Sequence, residues 1–165
     1  MSDPANHPEI HGRWPGSCFG CSSMNLHGLQ LHFRHTGDGC MTKYTVADTY
    51  CGFDGVVHGG IVATLLDEAA AWAVIARLGR LGLTREMTTR YLKPVPTRTE
   101  LSVTGVITSH DERCAIVHSS IHAQDGSLLA EAESTWALPR LSRIAAMTGV
   151  GKTTLQQFID SCRPE

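Results

Sequence analysis

The residues best placed to do chemistry lie in one run, Gly55-Val56-Val57-His58-Gly59-Gly60-Ile61-Val62-Ala63-Thr64-Leu65-Leu66-Asp67-Glu68-Ala69. Two glycines open an apolar helical stretch, so its first backbone N–H groups have neither an intrahelical partner nor a side chain shielding them. Such a terminus carries partial positive charge and can hold a carbonyl oxygen or an oxyanion. Asp67 stands seven residues beyond Gly60, nearly two turns, and projects from the same face. A carboxylate within an otherwise Ala- and Leu-rich helix is costly to bury, and its presence asks for a reason.

Spacing adds a constraint. Seven residues at ~1.5 Å each separate Gly60 from Asp67 by roughly 10 Å along the axis, too far for one helix to present both groups to the same carbonyl. Two such helices, antiparallel across a two-fold axis, bring the N-terminus of one to Asp67 of the other and create two equivalent sites. A catalytic site built from these groups is therefore a shared one.

The elements that must position them are legible from periodicity. Residues 29–35 alternate apolar and polar as a half-buried strand does. Gly37-Asp38-Gly39 turns the chain, and residues 41–46 return as the second strand of a hairpin. Beyond a loop with Gly52 and Gly55, one long helix is expected over 59–78, stopped by Gly79. Strands are expected over 84–92, 100–109, 113–123 and 128–138, with Asp125-Gly126 turning the last pair. Residues 69–76 leave the helix almost no polar face, the pattern of a buried helix. The result is an α+β domain, an antiparallel sheet of five to six strands wrapped around one long central helix. Residues 1–17 read as a flexible lead-in and 18–138 as the domain. Residues 139–165 read as an extension whose Leu155, Phe158, Ile159 and Cys162 mark a short amphipathic helix.

Composition narrows the function classes. A chain of 165 residues, 42% hydrophobic, has the size of one domain and needs neither disulfides nor metal to bury a core. Fourteen Lys+Arg against sixteen Asp+Glu argue against a nucleic-acid platform, which carries a basic excess. The longest apolar region, around residues 61–75, is broken by Thr64, Asp67 and Glu68 and falls short of the ~18 residues of a membrane span. The N-terminus lacks the basic-then-apolar pattern of a signal peptide, and six scattered cysteines form no stapled framework. The expectation is a soluble cytoplasmic protein.

The run GVVHGGIVATLLDEA resembles the helix-opening motif of hotdog-fold thioesterases of the PaaI-like (phenylacetyl-CoA thioesterase-like) branch. The similarity continues through Thr84 and Tyr91-Leu92-Lys93-Pro94-Val95-Pro96, and takes in Cys18-Phe19-Gly20-Cys21 with Gly28-Leu29-Gln30-Leu31. It covers residues 18–138. The resemblance implies a hotdog fold and hydrolysis of an acyl-CoA thioester between two protomers of a homodimer or homotetramer. CoA enters as part of the substrate, and no cofactor is implied. By the same resemblance Asp67 is nucleophile or general base, and the N–H of Gly60, with Gly59 beside it, polarises the thioester carbonyl. His58 helps to place the thioester and Thr84 to position the attacking water. One departure is that relatives often carry Asn or Gln just before the motif, where this chain has Cys51 and Gly52.

Around these groups, the acyl pocket is expected from Trp72, Ile75, Leu83 and Met87, with the loop around Phe53 contributed by the other protomer. CoA phosphates are expected near some of Arg77, Arg80, Arg85, Arg90, Lys93 and Arg98, with Arg90 and Lys93 the leading candidates. Two rival functions share the fold. One is a non-catalytic acyl-CoA sensor; the other is a hydratase or dehydratase, whose different His and acid arrangement is not found in this sequence.

Other patterns read as structural. Cys18-x2-Cys21 with His27, His32 and Cys40 nearby lacks the tightly spaced second ligand pair of a zinc site, so no metal is expected and the cysteines read as buried thiols. Glu68, some 80° round the helix from Gly60, reads as solvated or structural. Ala146-Met147-Thr148-Gly149-Val150-Gly151-Lys152-Thr153 approximates a phosphate loop, but no buried strand precedes it and only twelve residues follow. Residues 144–159 have helix-turn-helix spacing with little positive charge, and read as a docking segment.

Overall fold

In the computed structural model, which describes residues 7–164, the chain runs through β1 (Arg34–His35), β2 (Gly39–Thr45), β3 (Cys51–Phe53), β4 (Val56–Val57) and α1 (Gly59–Leu78). It continues through β5 (Leu83–Tyr91), β6 (Glu100–His110), β7 (Cys114–His122), β8 (Leu128–Ala137), α2 (Leu141–Thr148) and α3 (Lys152–Ser161). Six strands form one antiparallel sheet in the order β1-β2-β6-β7-β8-β5, and β3 pairs with β4 in a separate small hairpin. Helix α1 lies across the sheet, and the expected α+β architecture is present. Among the described residues no helix is long and apolar enough to cross a membrane.

The helix seats deeply because the facing surfaces are small. Ala69, Ala70 and Ala73 are fully buried, and opposite them stands Gly105 of β6. A β-carbon on Gly105 would come within 2.2 Å of the Ala69 carbonyl oxygen, so helix backbone and strand backbone touch there. The Cys40 thiol of β2 donates to the same carbonyl at 3.3 Å. Larger side chains, Leu65, Leu66, Val62 and Trp72, fill the space to either side. Gly79, with φ of 60°, takes the left-handed conformation that ends the helix, its N–H bonding to Ile75 O.

Four expectations need revision. Residues 29–33 alternate in burial as predicted, with Leu29, Leu31 and Phe33 inside, but only Arg34–His35 joins the ladder. Gln30 adopts φ of 52° while its amide donates to Ser23 O and Asn25 O, which breaks the strand. The segment instead bonds to the N-terminal chain, through Ile10 N–H to Phe33 O, Leu29 N–H to Phe19 O and Leu31 N–H to Gly20 O. Second, the part of the lead-in within the described residues is held, with Ile10 only 1% exposed; residues 1–6 lie outside them. Third, the extension forms two helices rather than one, joined at Gly149, and contributes Ile144, Leu155, Phe158 and Ile159 to the core. Fourth, α1 is not covered all round. Gly60 is exposed, and Thr64, Asp67 and Ala71 are only partly covered, leaving one open stripe at helical spacing.

Replacing Gly105 by Ala is expected to push α1 off the sheet and cost about 1–3 kcal/mol, the range for overpacking a close contact. Chemical denaturation of the variant against wild type measures it.

Candidate active site

The site begins at the turn into α1. His58 is the N-cap, in extended conformation, with its N–H held by Tyr50 O at 2.9 Å. Its Nδ1 accepts from the Gly60 N–H at 3.0 Å, and its carbonyl accepts from Ile61 and Val62. The Gly60 N–H thus has a partner already, and the Gly59 N–H is the donor left without one among the described residues. The Tyr91 hydroxyl donates to Gly59 O at 3.0 Å, so the motif after the helix pins the glycine turn from outside. Gly52 lies against His58: a β-carbon there would stand 3.3 Å from His58 Cα. The imidazole therefore occupies space that an Asn or Gln at this position would contest.

Two turns along the open stripe, the Thr84 hydroxyl donates to Asp67 Oδ1 at 2.8 Å. Burial raises the Asp67 pKa above the ordinary carboxylate range, and the Thr84 hydrogen bond opposes that rise in part. Thr84 reaches the carboxylate at a β-bulge: the pairing of β5 with β8 slips between Thr84 and Glu86. Bulges re-aim side chains in this way, and they concentrate beside functional sites.

An apolar cavity of about 280 Å³ opens along α1 from Glu68 to Ile75. Ala71, one turn beyond Asp67, stands in its wall with Trp72, Ile75 and Leu83, and the far side comes from Ile144 and Phe158 of the extension and from Trp14. Trp72 is held by stacking on Phe33, with ring centroids 5.5 Å apart, and by an edge contact to Phe158. Cys18, Cys21 and Glu68 form a polar patch on the same wall.

The sequence-derived groups are therefore brought together in two clusters along one helix stripe. His58, Gly59 and Gly60 form one, and Asp67 with Thr84 the other. Trp72, Ile75 and Leu83 line the cavity, whereas Met87 does not. Phe53 is 81% exposed at the hairpin tip, away from the cavity of its own chain. Of the basic residues, Arg90 pairs with Glu131 at 3.3 Å, Arg98 pairs with Asp48, and Arg80 donates to Glu112 O and Leu138 O. Arg77, Arg85 and Lys93 are exposed or partly so and make no such pair. Sequence reasoning missed the contribution of Trp14, which fell in the expected lead-in, and of Phe158, which was read only as one face of the C-terminal helix. Of the two readings given for Glu68, solvated or structural, the second holds, since that side chain is half-buried against Cys18.

Comparison with known proteins agrees with the fold. Residues 54–130 match the family model of the thioesterase superfamily. A solved thioesterase superfamily protein is 30% identical, with TM-score 0.64 over 68% of this chain and 56% of its own. A hypothetical thioesterase protein of Streptococcus pneumoniae, solved with coenzyme A, is 24% identical with TM-score 0.62, covering 66% of this chain and 85% of its own. The Escherichia coli PaaI protein from the phenylacetic acid degradation operon has the same fold, with TM-score 0.61 at 19% identity over 66% of this chain and 83% of its own. The chain spans 34% and 65% of the lengths of two curated relatives that it matches, from Schizosaccharomyces pombe and Saccharolobus solfataricus. The chain has the hotdog fold of these proteins, PaaI among them, and residues 54–130 carry its likeness to the thioesterase superfamily.

Thr84→Val removes the hydrogen bond that favours the ionised Asp67, so the Asp67 pKa is expected to rise further in the variant. Carboxyl-carbon NMR titration reads the direction; a fall or no change means that the bond does not tune this acid.

Proposed function

We propose that the protein hydrolyses acyl-CoA thioesters to the free acid and CoA, at a site shared between two protomers. The observation that carries this reading is the Thr84-held Asp67, placed on the same open helix stripe as a glycine turn with a free backbone N–H. The neighbouring cavity supports it. A dry apolar cavity of ~150 Å³ accepts benzene, so about 280 Å³ suits an aryl ring or a medium-length acyl chain.

In this mechanism the helix terminus of one protomer faces Asp67 of the other. Asp67 acts as nucleophile or as the base that takes a proton from water held with Thr84. The thioester oxygen, as it gains charge, is received by the Gly59 N–H and by the Gly60 N–H once the His58 ring turns aside. His58 then stands beside the departing sulfur. No cofactor takes part. The exposed basic residues Arg77, Arg85 and Lys93 are the groups free to meet the CoA phosphates, with Arg90 joining them if it leaves Glu131. Pairing of protomers is supported by the outer edge of β5, which has no strand partner and exposes Leu83 and Tyr91. Six free thiols suit a reducing, cytoplasmic setting.

Asp67→Asn is expected to reduce thioester turnover at least ~100-fold with the fold intact, the scale of a lost base or nucleophile. Release of free CoA thiol across acetyl, hexanoyl, decanoyl, palmitoyl and phenylacetyl esters measures it. Ligand binding without turnover in the wild type identifies a sensor instead. A second experiment addresses sharing: heterodimers of Asp67→Asn with Gly60→Pro protomers are expected to regain activity, because one of their two sites is intact. No recovery in verified heterodimers places both groups in one chain.

A further inference from the structure

Cys18, Cys21 and Glu68 form a cluster that the proposed reaction does not use. One ligand atom from each lies within 4.8 Å of the other two, and Cys18 Sγ is 3.2 Å from Glu68 Oε1. In a tetrahedral zinc site, with Zn–S of ~2.3 Å and Zn–O of ~2.1 Å, neighbouring donors stand roughly 3.6–3.8 Å apart. The three groups are thus near ligating geometry as they stand.

Local structure holds them there. The turn from Cys18 to Cys21 is closed by Ser22 N–H donating to Cys18 O at 3.2 Å, and the Gly20 N–H points at Cys18 Sγ at 3.3 Å. A backbone donor aimed at sulfur favours the thiolate, the form that binds metals. Gly20 also makes room for the third ligand, since a β-carbon there would stand 2.2 Å from Glu68 Cδ. Leu29 and Leu31 tie the turn down through their N–H bonds to Phe19 O and Gly20 O.

The cluster has a charge problem that a cation solves. Its acids are crowded against one another, and among the described residues no Lys, Arg or His forms an ion pair with Glu68. Buried anionic donors of this kind are stabilised by pairing or by metal coordination.

We propose that Cys18 Sγ, Cys21 Sγ and the Glu68 carboxylate bind a zinc-type divalent cation, with the fourth position facing the apolar cavity. Two thiolates and a carboxylate suit a borderline-soft ion. Binding releases to solvent the protons that the three ligands carry. The ion clips the N-terminal turn to the middle of α1, joining residues 50 apart in sequence. Sequence spacing offered only the cysteine pair; folding supplies the third ligand.

The test strips the full chain with chelator, returns one equivalent of zinc, desalts it and measures metal content. Wild type is expected to keep about one zinc per chain and to gain thermal stability from it by mass action. Cys18→Ser and Cys21→Ser are expected to lose both effects. Glu68→Gln should weaken binding at least about tenfold, the loss seen even for an outer partner of a metal ligand. Cobalt in place of zinc should show a thiolate charge-transfer band. A wild type that keeps no more zinc than the Cys18→Ser/Cys21→Ser double variant overturns the proposal, as does Glu68→Gln binding of unchanged strength. If the cysteine variants do not fold, thiol labelling of wild type decides: zinc should protect Cys18 and Cys21, and unchanged labelling refutes the site. Metal content is independent of turnover, so this outcome and that of the hydrolysis assay are read separately.

Discussion

The backbone contact between Ala69 and Gly105 governs the placement of everything else. A central helix can lie this close to a sheet only where both surfaces are nearly bare, and here the Ala69 carbonyl faces a glycine while it accepts from the Cys40 thiol. Packing as tight as a crystal transmits position faithfully. Once Ala69 is seated, Asp67 half a turn earlier must face away from the sheet, and the glycine turn two turns earlier must emerge on the same side. Site geometry is a consequence of core geometry, not of a separate loop.

That arrangement leaves a stripe of α1 unburied, which a 20-residue Ala- and Leu-rich helix does not tolerate cheaply. The chain covers part of the stripe with its own ends. Trp14, Phe158, Trp72 and Phe33 make a run of ring contacts from the N-terminal segment through α3 to α1, with centroid spacings of 5.4, 5.9 and 5.5 Å. Trp14, Trp72 and Phe158 of this run line the cavity. The remainder, from Gly60 to Asp67, stays available to a second protomer together with the free edge of β5.

Opposing demands meet at the two adjacent acids. Asp67 keeps a hydroxyl partner and partial exposure, both of which favour its ionised form. Glu68, turned about 100° away by the helix, enters a thiol-lined recess beside Cys18 and Cys21, where burial raises its pKa. Neighbours in sequence thereby acquire different chemistry from the surfaces they face. The His58 cap shows the same economy: one ring completes the helix terminus by accepting from the Gly60 N–H.

Much of the fold was legible in the chain alone. The helix over 59–78 follows from its glycine boundaries and alanine-rich interior, and the strands after it agree with their alternation to within a residue or two. The Gly60-to-Asp67 interval located both candidate clusters, because a helix converts separation into direction by local geometry. What local pattern leaves undetermined is every contact between distant segments. The Thr84 bulge, the capture of the Gly60 N–H by His58 Nδ1, the aromatic closure by Trp14 and Phe158, and the meeting of Glu68 with Cys18 all depend on how strands slip and where the termini pack. Periodicity records which face a residue turns toward, whereas only tertiary packing decides what that face meets.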